Sequence, residues 1–140
     1  MKLIIAGGRD YNLTVDDYAK LTHLHLQRRI TEEVCGTPWD ADSGNPPHGA
    51  DQCGAAWAWR HSIPVKDFAP DWSNIKRPGA VVRKRRDGKL YDAAAGPERN
   101  KQMAAYADAV ALFPGGAGTE SMRREAKAAG LEIFDFSAPL

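Results

Sequence analysis

One segment constrains the fold of this chain more than any other. An apolar run, Ala109-Val110-Ala111-Leu112-Phe113, passes into Pro114-Gly115-Gly116-Ala117-Gly118-Thr119 and then into a helical pattern over Glu120 to Ala129. A buried strand that ends in glycines and opens a helix is a building block of parallel α/β sheets. It is also a phosphate cradle in outline: glycines let the backbone approach an anion, and the helix start points free N–H groups at it. The alternative for Thr119 is a plain N-cap on a tight turn.

The rest of the chain repeats the alternation. Lys2 to Ala6 reads as a buried strand ending at Gly7-Gly8-Arg9-Asp10. A helix follows from Asn12 or Thr14, with Asp16 and Asp17 in its first turn. Val15, Tyr18, Ala19, Leu26, Ile30 and Val34 share a face at a period near 3.6, while Leu21 and Leu24 lie off it. The next strand is poorly marked, and Trp39 to Ser43 is the segment available for it. Gly49-Ala50-Asp51 opens a small-residue helix to about Ser62, and Ile63 to Phe68 reads as a strand. Pro97 to Ala107 is predicted helical, and Leu131 to Phe136 is a last strand. Between them, Asp87-Gly88 flanked by short apolar runs predicts a hairpin inserted at residues 76–92. The expected fold is therefore a single α/β domain over residues 1–140, a Rossmann-like parallel sheet of about five strands with helices on both faces.

No apolar run approaches the ~20 residues of a membrane span. Cys35 and Cys53 form no CxxC pair, which argues for a reducing, cytoplasmic setting and against a zinc site. His23, His25, His48 and His61 are not spaced as a metal set, so no metal or cofactor is expected. Residues 76–89 hold seven Lys or Arg against Asp87 alone, giving that stretch +6 within a chain of net charge +1. A basic patch thus sits on a mildly acidic body. Arg83, Lys84, Arg85 and Arg86 are candidates for nucleic-acid phosphates, for covering a ligand site, or for a solvated hairpin tip.

Ligands of such folds bind beyond the carboxyl ends of the strands. Four loops converge on that edge. Pro114, Gly115, Gly116, Gly118 and Thr119 form the cradle. Gly7 and Gly8 allow close approach, with Arg9 for phosphate and Asp10 for a ribose hydroxyl, or the two as a surface pair. Ser43, Gly44 and Asp51 form a polar entry to a helix, where Asp51 is alternatively a first-turn carboxylate. Arg99 and Asn100 sit at another helix start, with Glu98 beside them. Trp72, next to Asp71, stacks on a base or covers the core.

In this order, Gly7-Gly8-Arg9-Asp10-Tyr11, Ser43-Gly44 with Gly49-Ala50-Asp51, Trp57-Ala58, Ile63-Pro64-Val65, Asp71-Trp72, Ala95 to Asn100 with Met103, and Phe113 to Thr119 with Met122 resemble the SLOG superfamily. This is the Smf/DprA and Lonely Guy group, and the likeness is to its YspA/YpsA-related bacterial and phage branch. The resemblance spans nearly the whole chain. It implies a nucleotide-binding domain whose glycine loop and helix start hold phosphate or ribose, and a homo-oligomer formed through helices such as 50–58 or 119–130.

The Lonely Guy enzymes of that group cleave the N-glycosidic bond of nucleoside monophosphates with an arginine and the glutamate of a PGGxGTxxE pattern. Here Met122 stands at the glutamate position. Arg99, Glu98 and Asp51 remain the catalytic candidates, with Asp10 a further carboxylate. The first expectation is binding of a nucleotide or nucleotide-derived signal, such as an ADP-ribose or cyclic nucleotide species, by a sensor or sequestering protein. N-glycosidic cleavage is the alternative, and nucleic-acid binding through the hairpin a weaker one.

Overall fold

The computed structural model describes residues 1–137. Its elements are β1 (Lys2–Ala6), α1 (Val15–Arg28), β2 (Glu32–Cys35), α2 (Gly49–Arg60), β3 (Val65–Asp67), β4 (Val82–Lys84), β5 (Leu90–Asp92), α3 (Ala95–Tyr106), β6 (Ala109–Leu112), α4 (Ala117–Ala128) and β7 (Glu132–Asp135). Five strands make one parallel sheet in the order β3-β2-β1-β6-β7, and β4 with β5 forms a separate antiparallel hairpin. The molecule is thus an α/β, Rossmann-like domain with the expected hairpin insertion.

Period-two alternation in the central strands creates two cores. Leu3, Ile5, Ala109, Ala111 and Phe113 face α1 and α2. Ile4, Ala6, Val34, Val110 and Leu112 face α3 and α4. The small residues of α2 let it lie close on the sheet: a Cβ on Gly54 would stand 2.7 Å from the Ile5 side chain. The chain winds outward from β1 to β3, returns through α3, and winds the other way from β6 to β7. The switch point falls between β1 and β6, directly beneath the two glycine loops.

Three expectations are corrected. The second strand is Glu32–Cys35, not Trp39 to Ser43, which instead supplies a short 3-10 turn at Ala41–Ser43. On α1 the inward residues are Asp17, Leu21 and Leu24, while Val15 and Leu26 are exposed. Ile30 and Val34 lie beyond the helix end, Val34 in β2, and so do not belong to the helical face. The small-residue face at 50–58 is already buried within the chain, Ala50, Ala56 and Ala58 being fully covered, and is not free to join subunits. Both cysteines are buried free thiols. Among the described residues no helix is long and apolar enough to cross a membrane.

Gly49 starts α2 at φ +83, and a Cβ there would lie 2.2 Å from the Arg9 carbonyl oxygen. Its N–H donates to Asn12 Oδ1 at 2.8 Å, and Ala50 N–H donates to Gly8 O at 3.1 Å. Gly49→Ala therefore combines left-handed strain with a backbone clash. It is expected to cost about 2–4 kcal/mol in urea unfolding, and a loss under about 1 kcal/mol would contradict the close approach.

Candidate functional site

A cavity of about 740 Å³ opens at the carboxyl edge of the sheet, between the β1 and α4 loops on one side and the loops after β2 and β3 on the other. Its floor is built by backbone stitching. Gly8 N–H donates to Pro114 O at 2.8 Å, tying the β1 loop to the β6 loop. Gly7 is required there because a Cβ would meet the Ala50 Cβ at 2.6 Å.

The cradle begins earlier than the sequence pattern indicated. Helix α4 starts at Ala117 with Gly116 as its N-cap, so Gly118 and Thr119 sit inside the first turn. A helix start leaves its first N–H groups without intrahelical acceptors. Gly116 and Gly118 have no heavy atom within 4 Å of where a Cβ would stand, so this backbone faces open space in the cavity wall. Thr119 is buried, and its Oγ1 has no hydrogen-bond partner among the described residues. It is therefore not the N-cap. Gly115 acts beneath the cradle rather than in it: a Cβ there would lie 2.0 Å from Thr119 Oγ1 and 2.7 Å from Gly8 N.

Arg99, near the start of α3, lines the same cavity. Its Nη1 donates to the Gly36 carbonyl, and its Nε donates to Asn100 Oδ1 at 2.9 Å. Asn100 is buried and its amide donates to Ser121 Oγ at 3.2 Å, so it braces α3 against α4 and aims Arg99. Gly36 admits the guanidinium, since a Cβ would come within 2.8 Å of Arg99 Nη1.

Asp51 lies on the same wall, with Oδ2 accepting from Thr37 Oγ1 at 3.0 Å. Burial raises its pKa, while the Thr37 hydroxyl, Arg99 and the Gly7 N–H pull against that rise. Burial likewise lowers the pKa of Arg99, opposed by Asp51, and the guanidinium stays charged. The cavity thus holds a cation and a carboxyl group of raised proton affinity side by side.

Of the residues singled out in the sequence, Gly7, Gly8, Arg9, Asp51, Trp72, Arg99, Asn100, Gly116, Gly118 and Thr119 line this cavity. Gly49, Ala50, Met103, Ala117 and Met122, named within the sequence motifs, line it too, and the remaining candidate site residues do not. Ser43 and Gly44 belong to the 3-10 turn and its left-handed cap, and Ser43 Oγ is engaged with Asp40 O and Asn45 N. Asp10 is exposed and meets His48 Nε2 at 2.9 Å instead of pairing with Arg9. Pro114 and Gly115 form the stitched underside, and Glu98 lies outside the lining.

The lining residues not read as site residues from sequence include Gly36, Thr37, His48 and Gln52. A glycine directly after a strand was the available signal for Gly36. Met122 is buried in the α3/α4 core as well as in the cavity wall, so no carboxylate occupies that point.

The chain matches no family model, and no curated protein matches its sequence.

Proposed function

We propose that the chain is a SLOG-type domain that binds a nucleotide or nucleotide-derived ligand at the carboxyl edge of its sheet, as a sensor or sequestering protein. The observation that carries this reading is the open first turn of α4, with its glycines, lining one cavity together with the braced guanidinium of Arg99. Helix N–H groups and an arginine fork together match a phosphate. A volume of about 740 Å³ lies within the ~300–1,000 Å³ of small-molecule pockets. Apolar Met122 leaves this wall without a group for acid–base chemistry. Calorimetry against nucleoside mono-, di- and triphosphates, ADP-ribose and cyclic nucleotides tests the reading. Micromolar binding of at least one is expected, and no heat with any of them refutes it.

Asp51 favours a second reading, N-glycosidic cleavage of a nucleoside monophosphate. A carboxyl group of raised pKa inside a cavity suits a general acid or base. Release of free base, lost in Asp51→Asn, would establish that activity in place of simple binding. A homo-oligomer belongs to the SLOG reading as well, and light scattering of the purified chain measures it.

A further inference from the structure

The hairpin is fixed to the nucleotide cavity by one buried residue. Asp92, fully covered at the end of β5, accepts from Val81 N at 3.0 Å, Ala94 N at 2.9 Å and Arg77 Nε at 2.6 Å. Its own N–H donates to Trp72 O at 2.7 Å. Asp92 therefore locks the hairpin, the Trp72 loop and the start of α3 into one unit. The Trp72 ring packs on that helix start: a Cβ on Gly96 would stand 3.0 Å from it.

Trp72 lines the main cavity, and it also lines a second one of about 230 Å³ on the hairpin side, with Tyr91, Arg85, Lys89 and Asp87. The Arg85 guanidinium lies 5.0 Å from the centre of the Tyr91 ring. This volume falls below the ~300–1,000 Å³ of a pocket for a whole ligand, so it suits one part of a larger molecule. Its charged lining is Arg85 and Lys89 against Asp87, a net positive balance. Among the described residues Arg83, Lys84, Arg85, Arg86 and Lys89 make no salt bridge, whereas Arg28, Arg77 and Arg123 each have a carboxylate partner. Crowded like charges repel unless an anion joins them. Aromatic side chains beside unpaired cations are the surface that stacks a base and holds its phosphate.

We propose that the hairpin cavity is a second subsite, and that the ligand is two nucleosides joined through phosphate. One nucleotide seats against the first turn of α4 and Arg99. The other passes Trp72 and stacks against Tyr91, with Arg85 and Lys89 on the connecting phosphate. The proposal rests on the nucleotide reading of the main cavity.

The test is calorimetry on the full chain. The probes are the four nucleoside 5′-monophosphates, the same nucleotides extended by a second nucleoside through a phosphodiester or a pyrophosphate, and a long single-stranded DNA. The expected result is at least about tenfold tighter binding of one extended nucleotide than of its monophosphate. Arg85→Ala/Lys89→Ala and Tyr91→Leu should each remove most of that gain and leave the monophosphate affinity within about twofold. Both cations are exposed, so the double variant tests the subsite without disturbing the fold, and circular dichroism confirms it for Tyr91→Leu. Monophosphate binding with no gain on extension, or a gain that survives the variants, overturns the subsite while the nucleotide reading stands. Tight single-stranded DNA with no gain for the extended nucleotides also overturns it, in favour of a nucleic-acid surface. Absence of binding by all probes removes both.

Discussion

Glu33→Gln is expected to raise stability at neutral and higher pH and to flatten the pH dependence of unfolding. Glu33 sits in the middle of β2, in register with Leu3, facing the α1/α2 layer. It is fully buried, and neither carboxylate oxygen has a hydrogen-bond partner among the described residues. Burial, then the charges of Asp51 and Asp67, push its pKa well above the ordinary glutamate value. A carboxyl group whose pKa rises on folding contributes its full stability below the unfolded pKa of about 4.3. That stability is lost as pH climbs through the folded value, with a slope of about 1.4 kcal/mol per pH unit while the folded group is protonated and the unfolded one is not. Asp51 adds to the slope in the same direction.

Asp92, Glu132 and Asp135 have lowered pKa values and act oppositely, but their window lies below about pH 4, so the two effects separate along the pH axis. Urea unfolding of the unmodified chain should therefore peak in mildly acidic buffer and weaken toward pH 8. Glu33→Gln should match or trail it in acid, where the amide lacks partners too, and exceed it at pH 8. Parallel profiles for the two proteins would show that Glu33 is not the group responsible.

The same residue explains why part of the fold was hidden from the sequence. Leu3 to Ala6 of β1 and all of β6 are uninterrupted apolar runs, and glycine follows β1 directly and β6 after Phe113 and Pro114, so their place and their loops follow from local chemistry. β2 reads Glu32-Glu33-Val34-Cys35, and two glutamates in a row look like the solvent side of a helix. Only the tertiary position, between β1 and β3 with α2 above, makes it a central strand. The site divides in the same way. The glycine loops of β1 and β6 act through their own backbone and were legible. Gly36 and Thr37 join the site because β2 ends beside α3, and His48 joins because α2 starts against the β1 loop. Ser43 and Gly44 lack that support, since their hydrogen bonds close locally on Asp40 and Asn45.

Arg99→Ala should weaken binding of any nucleoside 5′-phosphate by about 10- to 150-fold, the range for losing a hydrogen bond to a charged group. Two effects act together. The fork that faces the cavity is removed, and Asp51 becomes the enclosed charge left on that wall, which turns it from anion-accepting to anion-repelling. Arg99→Lys keeps the charge but cannot hold Gly36 O, Asn100 Oδ1 and phosphate with one planar group, so it should fall between the two. The decisive partner is Asp51→Asn. In the Arg99→Ala background it should restore part of the lost affinity, giving a measurable coupling in a double-mutant cycle. In the otherwise unmodified protein it separates the two proposed activities. A binding protein loses a repulsive charge and holds phosphate more tightly, whereas a glycosidase loses its proton donor and its turnover while ligand affinity is kept or improved. Unchanged phosphate affinity in Arg99→Ala, with the fold intact by circular dichroism, would remove Arg99 from the site and with it the observation on which the nucleotide reading rests.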